Sequence, residues 1–267
     1  MSTGLSPSAR RATIALVLVA ILALGGAALA CAVVIQKGNV RLSVSAETSP
    51  SRLPREGTAP ISVSLGSAVS ATDGRALPAL ESISIEINRH GQLDSSGLAT
   101  CKLARIQPAS SAAALGACRA ALVGRGRFSG SITLSGALDY PISGSLLVFN
   151  ARQHGRTVLF AHAFADKPIA TSFVMVFGLS RIAHGTYGTE LRAELTKTLG
   201  AKRTLSSIEM TLSRRYWAGG RSHSFLSAGC PAPKGLGIAA FPLARTTFDF
   251  RGGKRLAATV IQSCRVR

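Results

Sequence analysis

Two hydrophobic patterns divide the chain. Ala12 to Gln36 is a run of 25 residues without a charge, mostly apolar, with Arg10 and Arg11 immediately before it. Hydrocarbon about 30 Å thick takes about 20 apolar helical residues to cross, so this run predicts a transmembrane helix. Beyond residue 58 the period is two. Ile61, Val63 and Leu65 alternate with serines; Ile83, Ile85 and Ile87 alternate with Ser84 and Glu86. Such alternation predicts strands with one buried and one wet face. Between the patterns lie residues 37–58, where three prolines in Glu47 to Pro60 predict an extended stalk or linker, although Val40, Leu42 and Val44 could form a short strand.

Strands continue through Arg127–Ser135, Ser145–Asn150, Val158–Phe164, Ala170–Leu179, Tyr187–Leu195 and Leu205–Tyr216. Ala170–Leu179 is apolar on both faces, as in a strand covered on two sides. Turns are predicted at Gln153-His154-Gly155-Arg156, Ala218-Gly219-Gly220-Arg221 and Arg251-Gly252-Gly253-Lys254; the last joins Arg245–Phe250 to Leu256–Cys264. One helix interrupts the strands: Ser110 or Ser111 caps it, Leu115, Cys118 and Leu122 share a face, and Gly124 ends it. This pattern predicts an all-β fold with one short helix, an antiparallel β-sandwich or barrel-like domain. The resulting plan is a cytoplasmic tail at 1–11, an anchor at 12–36, a linker at 37–58 and the β domain at 59–267.

The anchor admits three fates. It stays as an uncleaved single-pass helix; it is cut after Ala28-Leu29-Ala30, whose small-x-small form suits signal peptidase; or Cys31 is lipidated. The apolar run continues through Val33, Val34 and Ile35, which favours the uncleaved helix. Arg10 and Arg11 serve as its cytoplasmic flank and place the large domain outside the membrane.

Charge sharpens the partner question. Without Arg10 and Arg11, the 31 basic residues become 29 against 12 acidic ones, a net charge of +17 for the exported part. A surface of that sign attracts polyanions, of which an envelope offers acidic wall polymers and polysaccharides. Nucleic acid is not expected, because the cations are scattered and the aromatics few.

Excluding Cys31, four cysteines remain: Cys101, Cys118, Cys230 and Cys264. They permit three pairings, and an oxidising compartment favours bridges. The local pairing, Cys101 with Cys118 and Cys230 with Cys264, is expected. No C-x-x-C or matching histidine spacing predicts a metal, and no phosphate or dinucleotide loop predicts a cofactor.

Catalytic patterns are incomplete. Leu98-Ala99-Thr100-Cys101 resembles the Leu-x-Thr-Cys of sortases, but the upstream His90 and downstream Arg105 lie too close and the cysteine falls early. Ser227-Ala228-Gly229-Cys230 resembles the L,D-transpeptidase motif, yet Ala228 replaces its histidine, leaving the thiol without an adjacent base. His162 alternates with Phe160 and Phe164 and reads as a core residue. Glu190 and Glu194 share a strand face beside Arg192 and read as surface acids. Finally, Ile87-Asn88-Arg89-His90-Gly91, LSAGCPAPKG, FPLAR and Ser263-Cys264-Arg265-Val266-Arg267 resemble uncharacterised exported proteins of high-GC actinobacteria. That resemblance implies a shared fold and compartment and carries no activity. The expectation is a non-catalytic envelope protein that binds an anionic polymer or serves a structural role. Its alternative is a thiol enzyme using Cys101 or Cys230.

Overall fold

The structure, a computed structural model, describes residues 32–134, 138–200 and 203–267. Residues 1–11, the anchor as far as Cys31, and Cys31 itself lie outside the described residues. Among those described, no helix is long and apolar enough to cross a membrane.

The strands are β1 (Val33–Lys37), β2 (Val40–Ser49), β3 (Arg52–Leu53), β4 (Ala59–Pro60), β5 (Ser62–Ala71), β6 (Leu80–Asn88), β7 (Gly91–Leu93), β8 (Leu122–Thr133) and β9 (Asp139–Gln153). There follow β10 (Arg156–Ala165), β11 (Thr171–Arg181), β12 (Tyr187–Glu194), β13 (Arg203–Leu212), β14 (Arg215–Ala218), β15 (Arg221–Ser224), β16 (Leu226–Ala228), β17 (Ile238–Phe250) and β18 (Lys254–Val266).

Thirteen of them form one sheet in the order β1-β2-β5-β13-β8-β9-β10-β11-β12-β6-β17-β18-β3. The expected sandwich of two sheets is therefore replaced by a single sheet that curls into a half-barrel. Its two ends approach one another where Lys254 Nζ donates to Asn39 Oδ1 at 2.7 Å. All pairings in the sheet are antiparallel except β18 with β3.

The period of two holds on the concave face. Val40, Leu42, Val44, Ile83, Leu146, Val148, Ala161, Met175, Ile208, Phe248 and Val260 are all buried in one core. Phe128 and Phe173 meet edge to face there, with ring centroids 5.3 Å apart. A second core lies outside the barrel wall. Leu147, Phe149, Phe160 and Val174 point outward and are covered by Cys101, Ile106, Ala114 and Cys118. This explains why β9, β10 and β11 are apolar on both faces.

That cover contains the helix, which runs from Ser111 to Cys118, shorter than expected. Ser110 Oγ accepts from Ala113 N at 3.2 Å and caps it. A 3-10 turn at Arg119–Ala121 ends it, and Gly124 lies within β8 rather than acting as the stop. Curvature has a local cause in β8 and β9. A Cβ at Gly126 would lie 2.7 Å from Met210 Cα, and one at Gly144 would lie 2.8 Å from the Phe164 carbonyl carbon. Neighbouring backbone comes this close only because those positions have no side chain.

The linker expected at 37–58 is corrected: most of it belongs to the half-barrel. Val40 and Leu42 are fully buried, β2 pairs with β5 over its whole length, and Leu53 is buried beside Val266. Arg55 fixes the rest, its guanidinium donating to the carbonyls of Ala232 at 2.6 Å and Leu236 at 2.7 Å and also to that of Pro233. The last residues of the expected anchor are corrected likewise. Val33 to Gln36 form part of β1.

Candidate functional site

The barrel has an upper end, where β2, β13 and β6 finish and β5 begins. Chain segments accumulate there. β4, β16 and β7 form a small sheet, joined to the barrel where Ile61 N donates to Leu226 O at 3.1 Å. The hairpin β14–β15 projects from the same place, with Phe225 N bonded to Arg214 O at 2.8 Å.

Strand alternation gives this hairpin two unlike faces. On one, Tyr216 stacks on His223 at 5.3 Å, Tyr216 donates its hydroxyl hydrogen to Asp94 O at 3.1 Å, and His223 Nδ1 lies 3.3 Å from Asp94 Oδ2. Burial pushes the Asp94 carboxyl up, but hydrogen bonds from Ser96 and His223 outweigh it and leave the group below its ordinary range. Burial beside that carboxylate pushes the Tyr216 phenol up. The hairpin is thus pinned against the 94–97 loop. Its other face carries Arg215 and Trp217, and the indole is 72% exposed.

At the foot of that free face is a groove of ≈ 270 Å³ lined by Ser49, Ser62, Ser213, Arg214, Arg215 and Ser224, with Pro50, Pro60 and Ile61. Arg214 Nε is buried without a hydrogen-bond partner among the described residues. Two cations, four hydroxyls and a neighbouring indole suit an acidic, hydroxyl-bearing ligand: guanidinium forks bind carboxylate or phosphate, and a flat ring stacks on a sugar face.

Acids are held away from this groove. On the outer face of β12, β6, β17 and β18, Arg245 holds Glu86, Arg255 Nε lies 2.5 Å from Asp249 Oδ1, and Arg192 Nε lies 2.8 Å from Glu194 Oε1. Arg255, with help from Ser82, holds the Asp249 carboxyl below its ordinary range. Glu190, once considered with Glu194 as a catalytic pair, accepts from Ser84 at 2.7 Å and Ser180 at 3.3 Å. It belongs to this self-neutralised lattice. The chain between Asp94 and Asp139 contains no acid, and its Lys102, Arg105, Arg119, Arg125 and Arg127 are all exposed.

Cys101 is joined to Cys118 and Cys230 to Cys264, with Cα–Cα distances of 5.5 and 5.8 Å. This is the local pairing, and it leaves Cys101 and Cys230 as buried cystines. His162 is fully buried, with Nε2 3.1 Å from Ala109 O and Nδ1 unpartnered. Burial holds it below the ordinary imidazole range. The unfolded chain therefore takes up a proton near pH 6.5 that the folded chain refuses, so stability falls as pH drops below about 6.5. His162→Gln is expected to flatten denaturation midpoints measured between pH 7 and 5; an unchanged slope would assign that dependence elsewhere.

Among the described residues, no group of three His, Cys, Asp or Glu is placed to hold a metal. Comparison with family models, curated proteins and solved structures finds no match. Trp217, Arg214 and Arg215 were not singled out in the sequence. The only tryptophan, inside an Arg-Arg-Tyr-Trp run, was the available signal, but exposure has no signature in periodicity.

Proposed function

We propose that this chain is a non-catalytic cell-envelope protein, attached by its N-terminal segment, whose extracytoplasmic domain holds an anionic polymer in the Arg214–Arg215 groove with Trp217 stacked on it. The supporting observation is the exposed indole beside two arginines that have no acid partner among the described residues. The unpaired flap and β8 cations extend the attraction, and their long reach supports capture more than specificity.

The full-length chain should be retained on immobilised acidic polysaccharide at low salt and released as salt rises, because exposed charge pairs are screened. Arg214→Ala with Arg215→Ala should weaken retention about five- to tenfold, as two exposed ionic contacts of up to about 1 kcal/mol each would. Trp217→Ala should weaken it by a similar factor through lost stacking. Retention indifferent to salt and to all three substitutions would refute this reading. The thiol-enzyme alternative requires a free sulfur at Cys101 or Cys230, and mass analysis after thiol labelling of the native chain distinguishes it.

A further inference from the structure

The barrel interior is not filled along its length. Beneath the small upper sheet lies a cavity of ≈ 60 Å³, walled almost wholly by apolar atoms, with Ile61, Val63, Leu212, Leu226, Phe241 and Leu243 among its lining. A second of ≈ 40 Å³ lies deeper, lined by Val44, Ile83, Phe177, Ile208, Met210 and Phe248. Leu65 and Ile85 border both and form the partition between them. Natural cores are close-packed, with few voids larger than a water molecule, and a water needs polar partners that these walls scarcely offer.

The upper cavity also adjoins the cationic groove. Ile61 lines both, and the paired positions Thr48/Ser49, Val63/Ser62 and Leu212/Ser213 present one residue to the cavity and the next to the groove. An apolar, elongated interior that ends at two unpaired arginines defines an amphiphile by its chemistry.

We infer that the half-barrel takes a single acyl chain along its axis, with the chain's anionic headgroup at Arg214 and Arg215. The chain enters between the upper sheet and the rim, and rotation of Leu65 and Ile85 joins the two cavities into one channel. This occupant goes beyond the polymer reading and does not depend on it, although both use the same arginines. A fatty acid and a lysophospholipid share the required chemistry.

The test uses the full-length chain in vesicles carrying either a fatty acid or a lysophospholipid with a photoreactive diazirine on its acyl chain. After irradiation, peptide mapping should place adducts on Leu65, Ile85, Leu212 or Leu243 with at least one probe. Whichever probe labels identifies the source. Ala244→Leu, which adds bulk to the cavity wall, should reduce interior labelling at least fivefold while leaving salt-sensitive retention on acidic polysaccharide unchanged. Arg214→Ala with Arg215→Ala should reduce both. Should Ala244→Leu fail to fold, the map on the unaltered chain still decides. Adducts confined to residues outside the barrel with both probes, or interior labelling unmoved by a folded Ala244→Leu, overturn the inference. Loss of polymer retention alone would instead refute only the polymer reading.

Discussion

Gly126→Ala is expected to destabilise the domain by at least about 3 kcal/mol, a large part of the 5–15 kcal/mol that a folded domain typically has. The new methyl group would press on Met210 Cα and on the carbonyl of Glu209, both backbone atoms of β13 that cannot rotate aside. Relief requires β8 and β13 to separate, which breaks ladder bonds on both sides of the contact. Gly144→Ala presses on Phe164 and Ala165 of β10 in the same way. Gly116→Ala is the control. That position lies on the exposed side of the short helix with nothing close to its missing Cβ, so alanine should stabilise by about 1 kcal/mol through helix propensity. Chemical denaturation midpoints of the three variants test the argument. A Gly126→Ala variant as stable as the parent would mean that close backbone approach does not shape the sheet there.

Removing the Cys230–Cys264 bridge, by replacing both cysteines with alanine, is expected to cost about 3–4 kcal/mol through the freed loop in the unfolded chain. A structural consequence accompanies the loss. Cys264 lies on β18 opposite Ala239, and Cys230 N donates to Pro54 O at 2.8 Å, so the bridge ties the last strand to the wrap formed by β3, Arg55 and the 230–236 segment. Both sulfurs are buried, so the variant also leaves small voids in the main core. Replacing Cys101 and Cys118 closes a shorter loop, 17 residues against 34, and loosens the outer cover instead. Limited proteolysis should then cut first in residues 102–121 when Cys101–Cys118 is removed, and in residues 50–57 or 230–237 when Cys230–Cys264 is removed. Identical cleavage patterns for the two variants would contradict this division.

The period of two located most barrel strands within a few residues, because a strand on a core alternates whatever its partners are. β6, with Ile83 and Ile85, and the hairpin β17–β18 are examples. Where the reading failed, short-range signals competed with long-range ones. Prolines between Glu47 and Pro60 read as a linker, but that stretch is held by contacts about 180 residues away, where Arg55 satisfies carbonyls at 232–236. The apolar run ending near Gln36 read as uniformly helical, yet Val33 to Gln36 gain a ladder with β2. Leu205–Tyr216 read as one strand; it breaks at Ser213 and Arg214, which puts the hairpin and its arginines at the rim.

The sequence by itself determined the β class, most strand positions, the hairpin glycines, the basic balance and the proximity of each cysteine to its partner, since all of these depend on composition or near neighbours. Tertiary structure alone decided that thirteen strands make one curled sheet and not two stacked ones. It also decided where the acids are neutralised, and that two arginines and an indole meet above an apolar channel. The physical reason is that alternation specifies which side of a strand is buried, while partner order, curvature and surface neighbours are set by packing between residues far apart in the chain.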